Sequence, residues 1–456
     1  MSVKDFDVVI KNSNLINPER QFTLIKNIGI KDGKIIAITR EDIKGRKEID
    51  AGSSVVCSGF IDIHAHVDGE SYSAECMVKQ GVTTSVGGNC GISPANTESF
   101  FDDLDTRGFI LNQAMMVGHL SGLRRRVGAD NPYIPATPQQ IKDMVYLLER
   151  AFEQGAIGLS FSLAYAPGAS FEEVMELSKI VAKYGRFIGI HLRYDGWKWM
   201  ESINEFVQIA RLTGVSLHIS CFAYQAGMGI MEQVLKVLDK ARQEGIDVTA
   251  DSGMYEAFAA PIGTPVYDDD CFERWGCGYK NLIAVTGKYA GMRCNKEIFE
   301  ELREKYKEDV VIMFACKRKD IYKALLWDYM MVSTDGAVGH PKPGCGHPQS
   351  AGTFPKFFQK MVKEKKMISL TEAVRKATLL PVQRLGLENK GRIKEGADAD
   401  IVIFDLGKIK DKADYLGTGR PDAPPEGINY VIINGQVVVD NGEFKKGVLA
   451  GKTIRV

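Results

Sequence analysis

Two histidines one residue apart, His64 and His66, close the short apolar run of Phe60, Ile61 and Ile63. On an extended strand, residues two apart project to the same side, so the two imidazoles converge. Imidazole is the commonest side-chain metal ligand, although a pair of hydrogen-bonded histidines at a strand end would read the same way. Cys90 lies in Gly87-Gly-Asn-Cys-Gly-Ile-Ser, where the glycines let the backbone approach whatever the sulfur touches. A thiolate beside His64 and His66 would be a metal ligand and could bridge two ions. His191, at the end of Ile188-Gly-Ile-His, is the next candidate ligand.

These residues need elements that bring them together. Between Gly59 and about Gly386, short apolar runs alternate with segments of helical period, the signature of repeated βα units on a parallel sheet. Eight candidate strands cover Gly59–His66, Thr83–Cys90, Asn112–His119, Ala156–Leu163, Phe187–Arg193, Ser216–Cys221, Asp247–Gly253 and Met330–Asp335. Eight units predict a (β/α)8 barrel, whose chemistry sits at the C-terminal strand ends. His64, His66, His119, His191, Cys90, Cys221 and Asp335 all fall at or near such ends. Of the intervening helices, the one starting at Pro138 is the clearest, with Thr137 as its N-cap.

The two chain ends carry short alternating runs, with hairpin turns predicted at Asp32-Gly33 and Asn434-Gly435. Neither end can bury a core alone. Residues 1–58 and 386–456 are therefore expected to form one small β-sandwich domain, with the barrel of residues 59–385 inserted between them. A segment at about 264–320 exceeds an ordinary βα loop and is expected to act as a lid or a substrate wall. It holds Cys271 and Cys277, for which packing is a better reading than a second metal site.

Apolar and charged fractions of 45% and 25% are those of a soluble globular protein. A formal net charge of zero argues against nucleic acid or an anionic membrane as partner, which leaves a small molecule. There is no basic-then-apolar leader pattern and no apolar stretch of about 18 residues, so the reading is cytoplasmic. Nine cysteines are too dilute and too odd in number for a disulfide scaffold.

Taken together, Gly59-Phe-Ile-Asp-Ile-His-Ala-His, Gln80-Gly-Val-Thr-Thr-Ser-Val-Gly-Gly-Asn-Cys-Gly-Ile-Ser, Gly155-Ala-Ile-Gly-Leu-Ser, His191-Leu-Arg, Ser333-Thr-Asp-Gly, Gly352-Thr-Phe-Pro and Gly391-Arg-Ile-Lys-Glu-Gly-Ala-Asp make the chain resemble the amidohydrolase superfamily. The branch it resembles is that of the D-aminoacylases, the N-acyl-D-amino-acid deacylases. The resemblance implies a zinc hydrolase of non-peptide C–N bonds, with one or two Zn2+ ions, other divalent metals being admitted, and an amide as substrate. It also implies that Cys90 takes the bridging place that a carboxylated lysine fills in hydantoinases, and that Asp335 is the general acid–base. Such barrels admit a homo-oligomer.

Two departures from the branch stand out. Where it carries a second metal-binding histidine after strand six, this chain has Cys221, which is either a thiolate ligand or a core thiol, with His218 three positions earlier. Where the branch grips the substrate carboxylate with a lysine and an arginine, this chain has Ala223 and Gln349. A neutral amide cannot hold a carboxylate as a bidentate guanidinium does. The remaining candidates for substrate contact are Tyr255, Arg193 and His347, with His119 and His340 as open cases. The missing charges raise a cyclic amide, imide or hydantoin-like ring as the alternative substrate, and a ligand-binding member without turnover as the alternative class.

Overall fold

The computed structural model of the chain describes residues 6–19, 22–336 and 343–456. Eight short parallel strands lie where the apolar runs predict them: Phe60–Asp62, Val82–Gly87, Asn112–Met115 continued by Val117–Gly118, Gly158–Ser162, Phe187–His191, Ser216–Ile219, Val248–Ser252 and Met330–Val332. Six of these segments form one sheet, in the order Met330–Val332, Val248–Ser252, Ser216–Ile219, Phe187–His191, Gly158–Ser162, Val117–Gly118. A second parallel sheet runs Phe60–Asp62, Val82–Gly87, Asn112–Met115, Thr453–Ile454. The chain passes between the sheets at Met116. At the other seam Ala65 pairs in parallel with Gly336, the His66 N–H donates to the Gly336 carbonyl at 2.8 Å, and the Asp335 N–H donates to the His64 carbonyl at 2.8 Å. A shared core of Ile61, Ile63, Val86, Ala114, Met116 and Met331 joins side chains from both sheets.

Parallel neighbours require crossover connections, and helices supply them. Pro138–Glu153 is capped as expected: Thr137 accepts from the Gln140 N–H, and the Gln140 side chain accepts from the Thr137 N–H at 2.9 Å. Such a cap stabilises a helix by about 1 kcal/mol. Its Ile141, Met144, Leu148, Ala151 and Phe152 recur every three or four residues and form the buried stripe.

Both chain ends enter one nine-stranded sheet. Val55–Ser58 pairs antiparallel with Ile401–Phe404, which places the N-terminal strands on one flank and Ile428–Ile433 with Gln436–Asp440 on the other. Its apolar face buries Val8, Ile10, Ile28, Ile30, Ile49, Val56, Ile401, Ile403 and Ile432. The two predicted hairpin turns are present, with Asp32, Gly33, Asn434 and Gly435 all at positive φ, as a two-residue primed turn requires. The last strand, Thr453–Ile454, leaves this sheet and extends the second parallel one.

The long segment between the seventh and eighth strands begins earlier than its composition indicates. Phe258–Pro261, Val310–Met313 and Leu282–Ala284 form a small antiparallel sheet, with the helix Lys296–Lys305 between its strands. Among the described residues, no helix is long and apolar enough to cross a membrane.

Candidate metal centre

Just past the strand ends the backbone turns sharply. Cys90, Cys221 and Asp335 have φ of 50°, 43° and 51°, and Asp68 has 41°. Non-glycine residues rarely adopt this left-handed region, and clusters of them mark functional sites. Each turn aims a polar side chain into one space. Gly88, two residues before Cys90, permits the approach: a Cβ there would lie 2.0 Å from the Met116 carbonyl oxygen.

Two donor sets result. His64, His66, Cys90 and Asp335 place one ligand atom each within 4.8 Å of one another, and so do Cys90, His191 and Cys221. Cys90 belongs to both. Its Sγ lies 3.3 Å from His64 Nε2, and the Asp335 carboxylate lies 3.3 and 3.2 Å from His64 and His66 Nε2. Cys221 Sγ is 3.5 Å from His191 Nδ1. The two histidines converge as expected, although the strand itself ends at Asp62 and a bend does the final turning.

The electrostatics of the set are those of a site built for a cation. A hydrogen bond from the Cys221 thiol, aided by His64 and His191, outweighs burial and holds the Cys90 thiol well below its usual range. Burial and the Cys90 thiolate push Cys221 up. Burial opposes the charging of His66, but Asp335 and Cys90 raise it to about 10. Burial also raises Asp335, against the pull of His64 and His66. Imidazole, thiolate and carboxylate donors in close groups of three and four are the set that zinc takes.

Beneath the donors lies a group that the sequence pattern does not single out. The Asp251 carboxylate, fully buried in the seventh strand, contacts His64 Nδ1 at 3.3 Å and His218 Nε2 at 2.9 Å. It also accepts the Cys221 N–H at 3.0 Å and the Ser333 hydroxyl. His218 is thus inside the network below the site.

The donors open on a cavity of about 570 Å³. Its walls include Ile92, Leu120, Tyr165 and Tyr224, and the insert supplies Phe258, Pro261, Val266 and Lys307. The insert therefore forms part of the cavity wall. Cys271 is buried and Cys277 half-buried within it, and neither joins a donor group among the described residues.

The four residues expected at the substrate do not line this cavity. Arg193 is bound by Glu205 at 2.7 and 3.1 Å and by the Pro167 carbonyl. The Tyr255 hydroxyl donates to Asp411 at 2.8 Å. His347 is buried edge-on against Tyr255 and Tyr415, and burial lowers it to about 3. Gln349 accepts from the Tyr224 hydroxyl at 3.0 Å and donates to the Asp335 carbonyl, which makes it a brace behind the site. Each is engaged by a long-range partner that local sequence does not reveal. His119 is also internal: its Nε2 is 2.7 Å from Glu173, which Arg124 grips with two hydrogen bonds. His340 lies outside the described residues. The wall residues Tyr165, Asp68 and Asp195 carried no recognisable motif and emerge only from the fold.

The comparisons agree with this geometry. Residues 55–438 match the model of the amidohydrolase family. N-acyl-D-glutamate deacylase of Alcaligenes xylosoxydans xylosoxydans is 29% identical over 90% of this chain and 89% of its own length. D-aminoacylase of the same organism is 28% identical over 98% and 97%. Among solved structures, N-acyl-D-glutamate deacylase from Bordetella bronchiseptica, complexed with zinc and a phosphonate inhibitor, superposes with a TM-score of 0.88 at 25% identity, covering 99% of this chain and all of that one. A D-aminoacylase studied for its binuclear metal centre gives the same TM-score, identity and coverage. With a family match spanning most of its length and a strand-end donor cluster to go with it, the chain belongs to the amidohydrolase family.

Proposed function

We propose that the protein is a zinc-dependent deacylase of N-acyl-D-amino acids and that the strand-end cluster is its catalytic centre. The observation that carries this reading is the sharing of Cys90 between two donor sets, so that this one side chain would serve at either of two metal positions. The deacylases among the relatives support the substrate class. In this reading the two parallel sheets close as a (β/α)8 barrel over residues 59–385, and residues 1–58 and 386–456 form the β-sandwich domain, except that Thr453–Ile454 extends a sheet of the barrel.

His64, His66, Cys90 and Asp335 would hold one ion, and Cys90, His191 and Cys221 the other. When bound, zinc lowers the pKa of water to about 7 and polarises a carbonyl oxygen. Asp335 handles the proton: its carboxylate takes it from the attacking water and delivers it to the amide nitrogen as the C–N bond breaks, leaving a carboxylate and a free amine. Tyr165, its ring 5.7 Å from that of His191, orients the substrate at the wall. Of the cations on the cavity wall, Arg124 is committed to Glu173 and to backbone carbonyls. Arg125 and Lys307 are exposed and make no side-chain ion pair among the described residues, so a substrate carboxylate would meet them toward the mouth.

The commitment of Arg124 also favours a second reading, a ring amide with no carboxylate beside the scissile bond. One experiment decides between them. Zinc-loaded protein is assayed against N-acetyl-D-amino acids, their L-enantiomers, and a hydantoin and a cyclic imide. Turnover of the D-series alone is expected; turnover of the rings alone would replace the first reading with the second.

A further inference from the structure

We infer that Asp251 is the positioning residue of the metal centre, fixing the tautomer of His64 with one carboxylate oxygen and the backbone of Cys221 with the other. This rests on the metal-centre reading above. The two oxygens have separate tasks. Oδ2 lies 3.3 Å from His64 Nδ1 and 2.9 Å from His218 Nε2, while Oδ1 accepts the Cys221 N–H at 3.0 Å and the Ser333 hydroxyl.

The proton positions follow from the chain of contacts behind Asp251. Arg384 donates its Nε–H to Thr249 Oγ1 at 2.9 Å, so the Thr249 hydroxyl proton is available to His218 Nδ1, also at 2.9 Å. A neutral His218 that accepts at Nδ1 carries its proton on Nε2 and donates it to Asp251. His64 meets the same carboxylate oxygen, which can only accept, so His64 carries its proton on Nδ1. That leaves the lone pair on Nε2, the nitrogen facing Cys90 and Asp335. A carboxylate behind a metal-binding imidazole typically contributes 10–100-fold to affinity.

On the other side, Cys221 stands at φ 43°, a conformation that L-residues other than Asn and Asp seldom adopt. Its N–H is held there by Asp251 Oδ1. The asymmetry makes Asp251→Asn informative. An Asn keeping its oxygen toward Cys221 and Ser333 turns its NH2 to the imidazoles, where His64 Nδ1 must accept. The His64 proton then moves to Nε2 and blocks that nitrogen as a ligand, while Cys221 is undisturbed.

The test is zinc affinity by chelator competition in wild type, Cys221→Ala, and each with Asp251→Asn, alongside denaturant unfolding. In the Cys221→Ala background only the His64 position remains, and Asp251→Asn is expected to weaken it 10–100-fold. At the Cys221 position of the otherwise wild-type chain, the change should stay within about threefold. Equal losses at both positions, or lost stability with unchanged affinity, would reduce Asp251 to a structural residue and overturn the inference. Wild-type protein that binds no zinc would overturn the functional reading itself, a result distinct from either. If Asp251→Asn does not fold, 15N-histidine NMR of the zinc-loaded wild type decides: a proton on Nδ1 of His64 is expected, and a proton on Nε2 refutes it.

Discussion

Two buried polar clusters in this molecule share an alphabet and differ in balance. One joins His119, Arg124 and Glu173; the other joins His64, His66, Cys90, His191, Cys221 and Asp335. In the first, a guanidinium meets a carboxylate in two hydrogen bonds, its remaining N–H groups reach the carbonyls of Ala129, Asn131 and Ile134, and neither side chain reaches solvent appreciably. In the second, two thiols and a carboxylate face three imidazoles with no lysine or arginine among them, and they open on a cavity. A buried charge set that is complete within itself is structural. One whose anions are shared among several imidazoles, on a strained backbone, is arranged for a cation from outside.

The contrast can be broken most directly at Asp335. Asp335→Asn is expected to lower kcat by about 10²–10⁴-fold, the usual contribution of a general acid–base, with zinc content kept near wild type. Turnover within a few-fold of wild type would remove Asp335 from its role. Next come the thiols, read by elemental analysis. Cys90→Ala should strip zinc from both positions and Cys221→Ala from one, whereas equal losses would mean that Cys90 is not shared.

In the balanced cluster the damage should be to stability. Glu173→Gln leaves a buried guanidinium unpaired and is expected to cost about 3–5 kcal/mol in denaturant unfolding, with zinc retained by the folded fraction. The pH dependence has the matching sign. Burial opposes ionisation of Glu173, but His119 and Arg124 hold it at about 2, below its ordinary 4.5. Its contribution, about 3 kcal/mol, is therefore complete above pH 4.5 and lost as pH falls toward 2. Wild-type unfolding should show this loss and Glu173→Gln should not. The smallest effect belongs to the cavity mouth: Lys307→Ala should raise KM for acyl-amino acids several-fold and leave kcat unchanged. Equal behaviour toward charged and uncharged acyl amides would move the carboxylate contact elsewhere.

The sequence by itself determined the strands and the candidates at their ends. His64, His66, Cys90, His191 and Cys221 were legible as candidate ligands, and Asp335 as the candidate acid–base, because each lies at or near the end of an apolar run and parallel strands of like polarity present their ends on one face; the fold brings all six together. The capped helix at Thr137 and the turns at Asp32-Gly33 and Asn434-Gly435 were legible because their signals are local and fixed by backbone sterics. Tertiary structure alone decided what each polar residue outside that set does. Tyr255 is bound to Asp411, Arg193 to Glu205 and Gln349 to the carbonyl of Asp335, so none faces the cavity. Asp251 stands out only once three other strands bring His64, His218, Cys221 and Ser333 to its two oxygens. A side chain's type states which bonds it can make; its partners are chosen by packing between residues far apart in the chain.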